Sequence, residues 1–129
     1  MQAARDDAEL ELEIGRQIQT GFFPDSLPQI KGWDVFAYFQ SARKVAGDFY
    51  DAFPLNRGSQ LAVVLADVCD KGLGAALFMV VFRSLLRANI QQSFDCGNET
   101  DMDPGERIIE AVRKTNNYVA LNHAKASMF

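Results

Sequence analysis

The sequence predicts an α+β domain, an antiparallel β-hairpin flanked by helices, with an amphipathic helix ahead of it. Three patterns carry that expectation. Gln60 to Val68 (QLAVVLADV) is a near-continuous apolar run of strand length, and the aromatic stretch Phe49 to Leu55 lies just before it. Asn56-Arg57-Gly58-Ser59 separates the two with residues that suit a tight turn. Leu10, Ile14, Ile18 and Phe22 recur at steps of four near the N-terminus, and two later segments also repeat apolar residues at helical steps.

Residues 1–23 are polar and acid-rich around that stripe and read as an amphipathic helix ended by Gly21 and Pro24. The stripe either forms a regulatory seam with another chain or covers the sheet of its own domain. Residues 24–32 (PDSLPQIKG) have loop chemistry, and Trp33 to Gln40 (WDVFAYFQ), aromatic and β-branched, predicts a first strand. The hairpin follows, its second strand expected to be buried on both faces. Lys71-Gly72-Leu73-Gly74 predicts a turn, and Ala75 to Asn89 a helix with Leu77, Val81, Leu85 and Ala88 in step. Residues 93–105 read as a loop, with Pro104 suited to a first helical turn. Ile108, Val112, Thr115 and Val119 then mark a last helix, and Ser127-Met128-Phe129 resembles a strand being entered. The expected organisation is a helix over 1–23 and, over 24–129, the N-terminal part of a larger α/β sandwich, with an antiparallel sheet of three strands.

Composition narrows the function classes. With 48% hydrophobic and 23% charged residues the chain matches a globular domain and not a disordered one. Lys+Arg 13 against Asp+Glu 17 gives a net charge of -4, which argues against general nucleic-acid binding. The longest apolar run, Ala75 to Phe82, stops at Arg83, short of the roughly 20 residues a membrane span needs. Cys69 and Cys96 form neither a disulfide framework nor a zinc pattern, and no signal peptide is visible, so a cytoplasmic location is expected.

Two acidic residues sit where strands meet turns. Asp48, in Gly47-Asp48-Phe49-Tyr50-Asp51, opens one hairpin strand, and Asp67 closes the other. Pairing the strands brings both carboxylates to one edge of the sheet, where repulsion calls for a shared proton or a divalent cation. Oxygen ligands without a nearby His or Cys favour Mg²⁺ or Mn²⁺ over zinc. The alternative is that both are turn-capping residues bonded to nearby N–H groups.

Three linked segments resemble one family: Gln19 to Pro28 (QTGFFPDSLP), Val45 to Asp51 (VAGDFYD), and Asp67 to Met79 (DVCDKGLGAALFM). Together they are similar to the metal-dependent PPM (protein phosphatase 2C-like) superfamily, in the bacterial branch of stage II sporulation protein E and RsbU. The resemblance implies a PPM-type α/β sandwich that hydrolyses phosphoserine or phosphothreonine in bacterial signal transduction, using water activated by two Mn²⁺ or Mg²⁺ ions about 3.5–4 Å apart. It implies that Asp48 and Asp67 hold metal, Asp67 bridging both ions, and that the backbone carbonyl of Val68 is a main-chain ligand. Asp51 would have a supporting role. It implies as partners a phosphorylated regulatory protein, such as an anti-sigma-factor antagonist, and a homodimer through the N-terminal helix. Ala46 stands where the family more often has glycine, and the family's later Asp-Gly motif and final metal-binding aspartate have no counterpart before Phe129. The chain is therefore expected to be truncated, with roughly half of a binuclear site.

Two rival readings remain. A non-catalytic docking module fits the missing ligands, and Gly47-Asp48-Phe49 loosely echoes the diguanylate cyclase hairpin, although Phe49 cannot ligate a metal. Arg43 and Lys44 could meet a substrate phosphate but suit a solvated surface better. His123 reads as a helix-end residue, and Cys69 and Cys96 as reduced thiols.

Overall fold

In a computed structural model, residues 2–41, 45–69, 72–95 and 102–123 are described. The elements are α1 (Gln2–Thr20), β1 (Phe49–Leu55), β2 (Gln60–Ala66), α2 (Leu73–Asp95) and α3 (Pro104–His123). The fold is α+β, with a two-stranded antiparallel sheet flanked by helices. Arg43, Lys44, Asp70 and Cys96, together with the Ser127-Met128-Phe129 end, lie outside the described residues.

The hairpin forms where the sequence places it, in a register running from Phe49↔Ala66 to Leu55↔Gln60. Its turn needs three successive left-handed residues, Asn56 (φ 47), Arg57 (φ 56) and Gly58 (φ 88). Asparagine and glycine adopt that region at little cost, while Arg57 is held there by the closure around it. The closure comes from Ser59, whose N–H and hydroxyl both donate to the Asn56 carbonyl, at 3.2 and 2.9 Å. Pro54 is tolerated in β1 because both strands of a two-stranded sheet are edges.

One sheet face carries the core. Phe53, Leu55 and Ala62 pack against Leu86, Ile90 and Phe94 of α2 and Ala111 of α3. The Asp103 side chain caps α3 by accepting the Gly105 N–H at 2.8 Å, ahead of the first-turn bond from Arg107 N–H to the Asp103 carbonyl. The two long helices are pinned by the Asn89 amide, which donates to the buried Thr115 hydroxyl at 2.9 Å, and that hydroxyl donates in turn to the Ala111 carbonyl.

Three expectations are corrected. Trp33 to Gln40 forms no strand: the segment has no regular secondary structure, and Phe39 anchors it by stacking with Phe23 and Tyr50 at ring separations of 4.7 and 6.4 Å. Strand propensity without a ladder partner does not make a strand, so among the described residues the sheet has two strands and not three. β2 is not buried on both faces, because Val63 and Leu65 on the face away from α2 are exposed. The stripe Leu10, Ile14 and Ile18 does not cover the domain's own sheet and is 48–60% exposed. α1 seats instead through Gly15 and Gln19, which are buried.

By length and composition, α2 is the one helix among the described residues apolar enough to cross a membrane. Its middle carries Arg83 and Arg87, and both guanidiniums turn toward the sheet to meet Asp51 of β1. Ala75, Ala76, Met79, Leu86, Ile90 and Phe94 are buried within the domain, while Leu77 and Val81 are exposed.

Candidate functional site

The strand register sets the site. One step beyond the Phe49↔Ala66 pair, Asp48 stands opposite Asp67, and one step further Gly47 stands opposite Val68. Both residues are exposed at the mouth of the hairpin. Hydrogen bonding to Asp67, then slight desolvation, then the charge of Asp67 raise the Asp48 carboxyl above its ordinary value. Two acids close enough to share a proton make a site that a cation can occupy in the proton's place.

The Val68 carbonyl is held at the same mouth. A side chain on Gly47 would put its Cβ 2.6 Å from that oxygen, so the approach exists only because position 47 is glycine. Two carboxylates and one carbonyl make an all-oxygen donor set, suited to a hard divalent cation. Among the described residues, no group of three or more His, Cys, Asp or Glu side chains gathers to hold an ion. The donor set therefore fits part of a coordination sphere that takes six or more oxygens in all.

A groove of about 850 Å³ leads to this mouth, between residues 35–40 and the open face of the hairpin, with Asp48 and Asp67 in its lining. Asp51 lies on the opposite sheet face. Its carboxylate, 1% exposed, meets Arg83 Nη2 at 3.1 Å and Arg87 Nη1 at 3.2 Å and accepts the Ala52 N–H at 2.9 Å. Arg87 also lies over the Phe53 ring, 4.7 Å from its centroid. Cys69, beside the site, is a free and exposed thiol.

Sequence reasoning gave no role to Arg83 and Arg87, which hold Asp51, and took Gln19 only as the start of a family segment. Arg83 figures there only as the end of an apolar run, and Arg87 not at all. For Gln19 a signal existed, since a glycine inside a helical pattern, here Gly15, usually marks a close approach on that face.

Residues 57–129 match the family described as stage II sporulation protein E (SpoIIE). The chain belongs to the SpoIIE family. It is 45% identical over 134 residues to "Protein IcfG" of Synechocystis sp., covering 93% of this chain and 21% of that protein. It is 30% identical over 119 residues to "Phosphoserine phosphatase RsbU" of Bacillus subtilis, covering 92% of this chain and 31% of that protein. The chain thus spans a third or less of the length of these curated relatives. No solved structure matches it significantly. Together these make it a phosphatase-related domain of the PPM type, in the SpoIIE and RsbU branch.

Proposed function

We propose that this chain supplies the first half of a metal-dependent protein serine/threonine phosphatase site, acting on a phosphorylated regulatory protein in bacterial signalling. The observation that supports the reading is the mouth of the hairpin, where the strand register carried one step on sets Asp48 opposite Asp67 and Gly47 lies against the Val68 carbonyl. Asp48 and Asp67 would hold Mn²⁺ or Mg²⁺ with their carboxylates, and Val68 would add its main-chain oxygen. When bound, such ions lower the pKa of water and clamp a phosphoryl group. The residues of the chain do the rest: the hairpin register fixes the carboxylate separation, Gly47 admits the carbonyl, and the groove beside residues 35–40 gives a phosphorylated segment a path to the mouth.

The reading extends to a cytoplasmic setting and an anti-sigma-factor antagonist as substrate. It also includes a homodimer through α1, supported by the exposed stripe Leu10, Ile14 and Ile18. The test is Mn²⁺ binding, followed by electron paramagnetic resonance, in the chain and in Asp67→Asn. Binding should be lost in the variant with the helical circular dichroism retained. Equal affinity in both chains overturns the site and leaves a non-catalytic docking module as the better account.

A further inference from the structure

The Gln19 side-chain amide of α1 is buried, 4% exposed, and both of its ends are used on one residue 27 positions away. Its Nε2 donates to the Ala46 carbonyl, and its Oε1 accepts the Ala46 N–H at 3.1 Å. The side chain therefore pairs with Ala46 as a neighbouring strand would. A buried amide is stable only when so paired, and removing it leaves two backbone groups without partners.

Ala46 is joined through Gly47 to Asp48, and Gly47 is the residue pressed against the Val68 carbonyl. One helical turn before Gln19, a Cβ on Gly15 would lie 2.7 Å from Leu73 Cδ1 and 3.5 Å from Val45 Cγ1. Leu73 opens α2, the helix that follows Asp67 in the chain. α1 is thus seated on both chain segments that carry the carboxylate pair, on the loop entering Asp48 and on the helix leaving Asp67.

We propose that Gln19 is a positioning residue: its amide clamps the loop into Asp48, so the seat of α1 sets how closely Asp48 and Asp67 converge and how tightly the mouth holds a divalent cation. This rests on the reading of that mouth as a metal site. A displacement of α1, from whatever binds its exposed stripe, reaches the Asp48 loop through the hydrogen bonds of this side chain.

The test uses the chain with Gln19→Leu, which keeps the bulk and removes both hydrogen bonds. Three readouts are taken: amide exchange at Ala46, Mn²⁺ affinity, and the urea midpoint. Exchange at Ala46 should rise at least tenfold and Mn²⁺ affinity should fall about tenfold, with the unfolding transition still cooperative. Gln19→Glu covers the case in which the leucine variant fails to fold. It keeps the acceptor for the Ala46 N–H, sets an oxygen against the Ala46 carbonyl, and should lose affinity in the same direction. Faster exchange with unchanged affinity makes Gln19 a structural residue only and overturns the proposal, as does unchanged exchange. If the wild type and Asp67→Asn bind Mn²⁺ equally, the metal site itself has failed. A failed clamp would leave that difference intact.

Discussion

Removing the Asp51 carboxylate should be among the most destabilising single changes in the chain. Asp51 is almost fully buried, and the two guanidiniums that meet it differ in exposure: the Arg83 side chain is 13% exposed and the Arg87 side chain 32%. In Asp51→Ala the Arg83 charge is stranded in a dry interface, where breaking a buried pair typically costs about 3–5 kcal/mol. Arg83 is poorly placed to relax, since its Nε is already buried without a partner among the described residues. Arg87 reaches solvent and keeps its contact with Phe53, so its share should stay near the roughly 1 kcal/mol of a screened pair. Against a typical domain stability of about 5–15 kcal/mol, the expected loss of about 3 kcal/mol or more is a large fraction. The assay is urea unfolding followed by circular dichroism, in a double-mutant cycle of Asp51→Ala with Arg83→Ala and with Arg87→Ala. Coupling to Arg83 should exceed coupling to Arg87. A loss under about 0.5 kcal/mol, the range of ordinary surface changes, would refute the argument, as would the reverse order of couplings.

Gly47→Ala places a methyl group 2.6 Å from the Val68 carbonyl, so the two strand ends must part; overpacking of this kind costs about 1–3 kcal/mol, and Mn²⁺ titration should show weaker binding. Ile14→Asp with Ile18→Asp changes exposed positions, so the urea midpoint should barely move while sedimentation shows any self-association abolished. For Asp48, the folded state holds the carboxyl proton above its ordinary 3.8, so that stabilisation is full below the unfolded value and fades as pH rises through the raised folded value. Urea midpoints in EDTA should therefore fall with pH in the wild type relative to Asp48→Asn, and Mn²⁺ should reverse the fall. Parallel pH profiles for the two chains would disprove the shared proton.

Local chemistry made most elements readable. The turn residues Asn56 to Ser59 fix the hairpin and its register, and with the register comes the Asp48–Asp67 pair, so the candidate site follows from sequence once the strands are paired. Pro104 marked the start of α3, and the apolar repeat of α2 was right in kind but short, the helix running to Asp95. What stayed hidden depends on contacts between distant segments. No periodicity says that Arg83 and Arg87 are drawn to a carboxylate in β1. Nor does the stripe of α1 say which face docks, because the docking face uses a missing side chain at Gly15 and a paired amide at Gln19 in place of apolar bulk.

The mismatch at β2 has a physical meaning of its own. A strand with one solvated face alternates apolar and polar residues, whereas Leu61 to Ala66 is apolar throughout. In the structure only one face is covered, and Leu65 is 81% exposed on the other. That open face holds Tyr50, Val63 and Leu65, and it forms the wall of the groove that ends at Asp48 and Asp67. The composition of β2 therefore suits a second layer on the side where the carboxylates emerge. Covering that face would remove Val63 and Leu65 from water, at roughly 1.5–3 kcal/mol for a fully buried side chain of this kind. The same cover would draw the mouth of the hairpin out of bulk solvent and strengthen every charge interaction within it. A cover on that face would act on β2 and on the carboxylate pair together, because the same sheet face carries both.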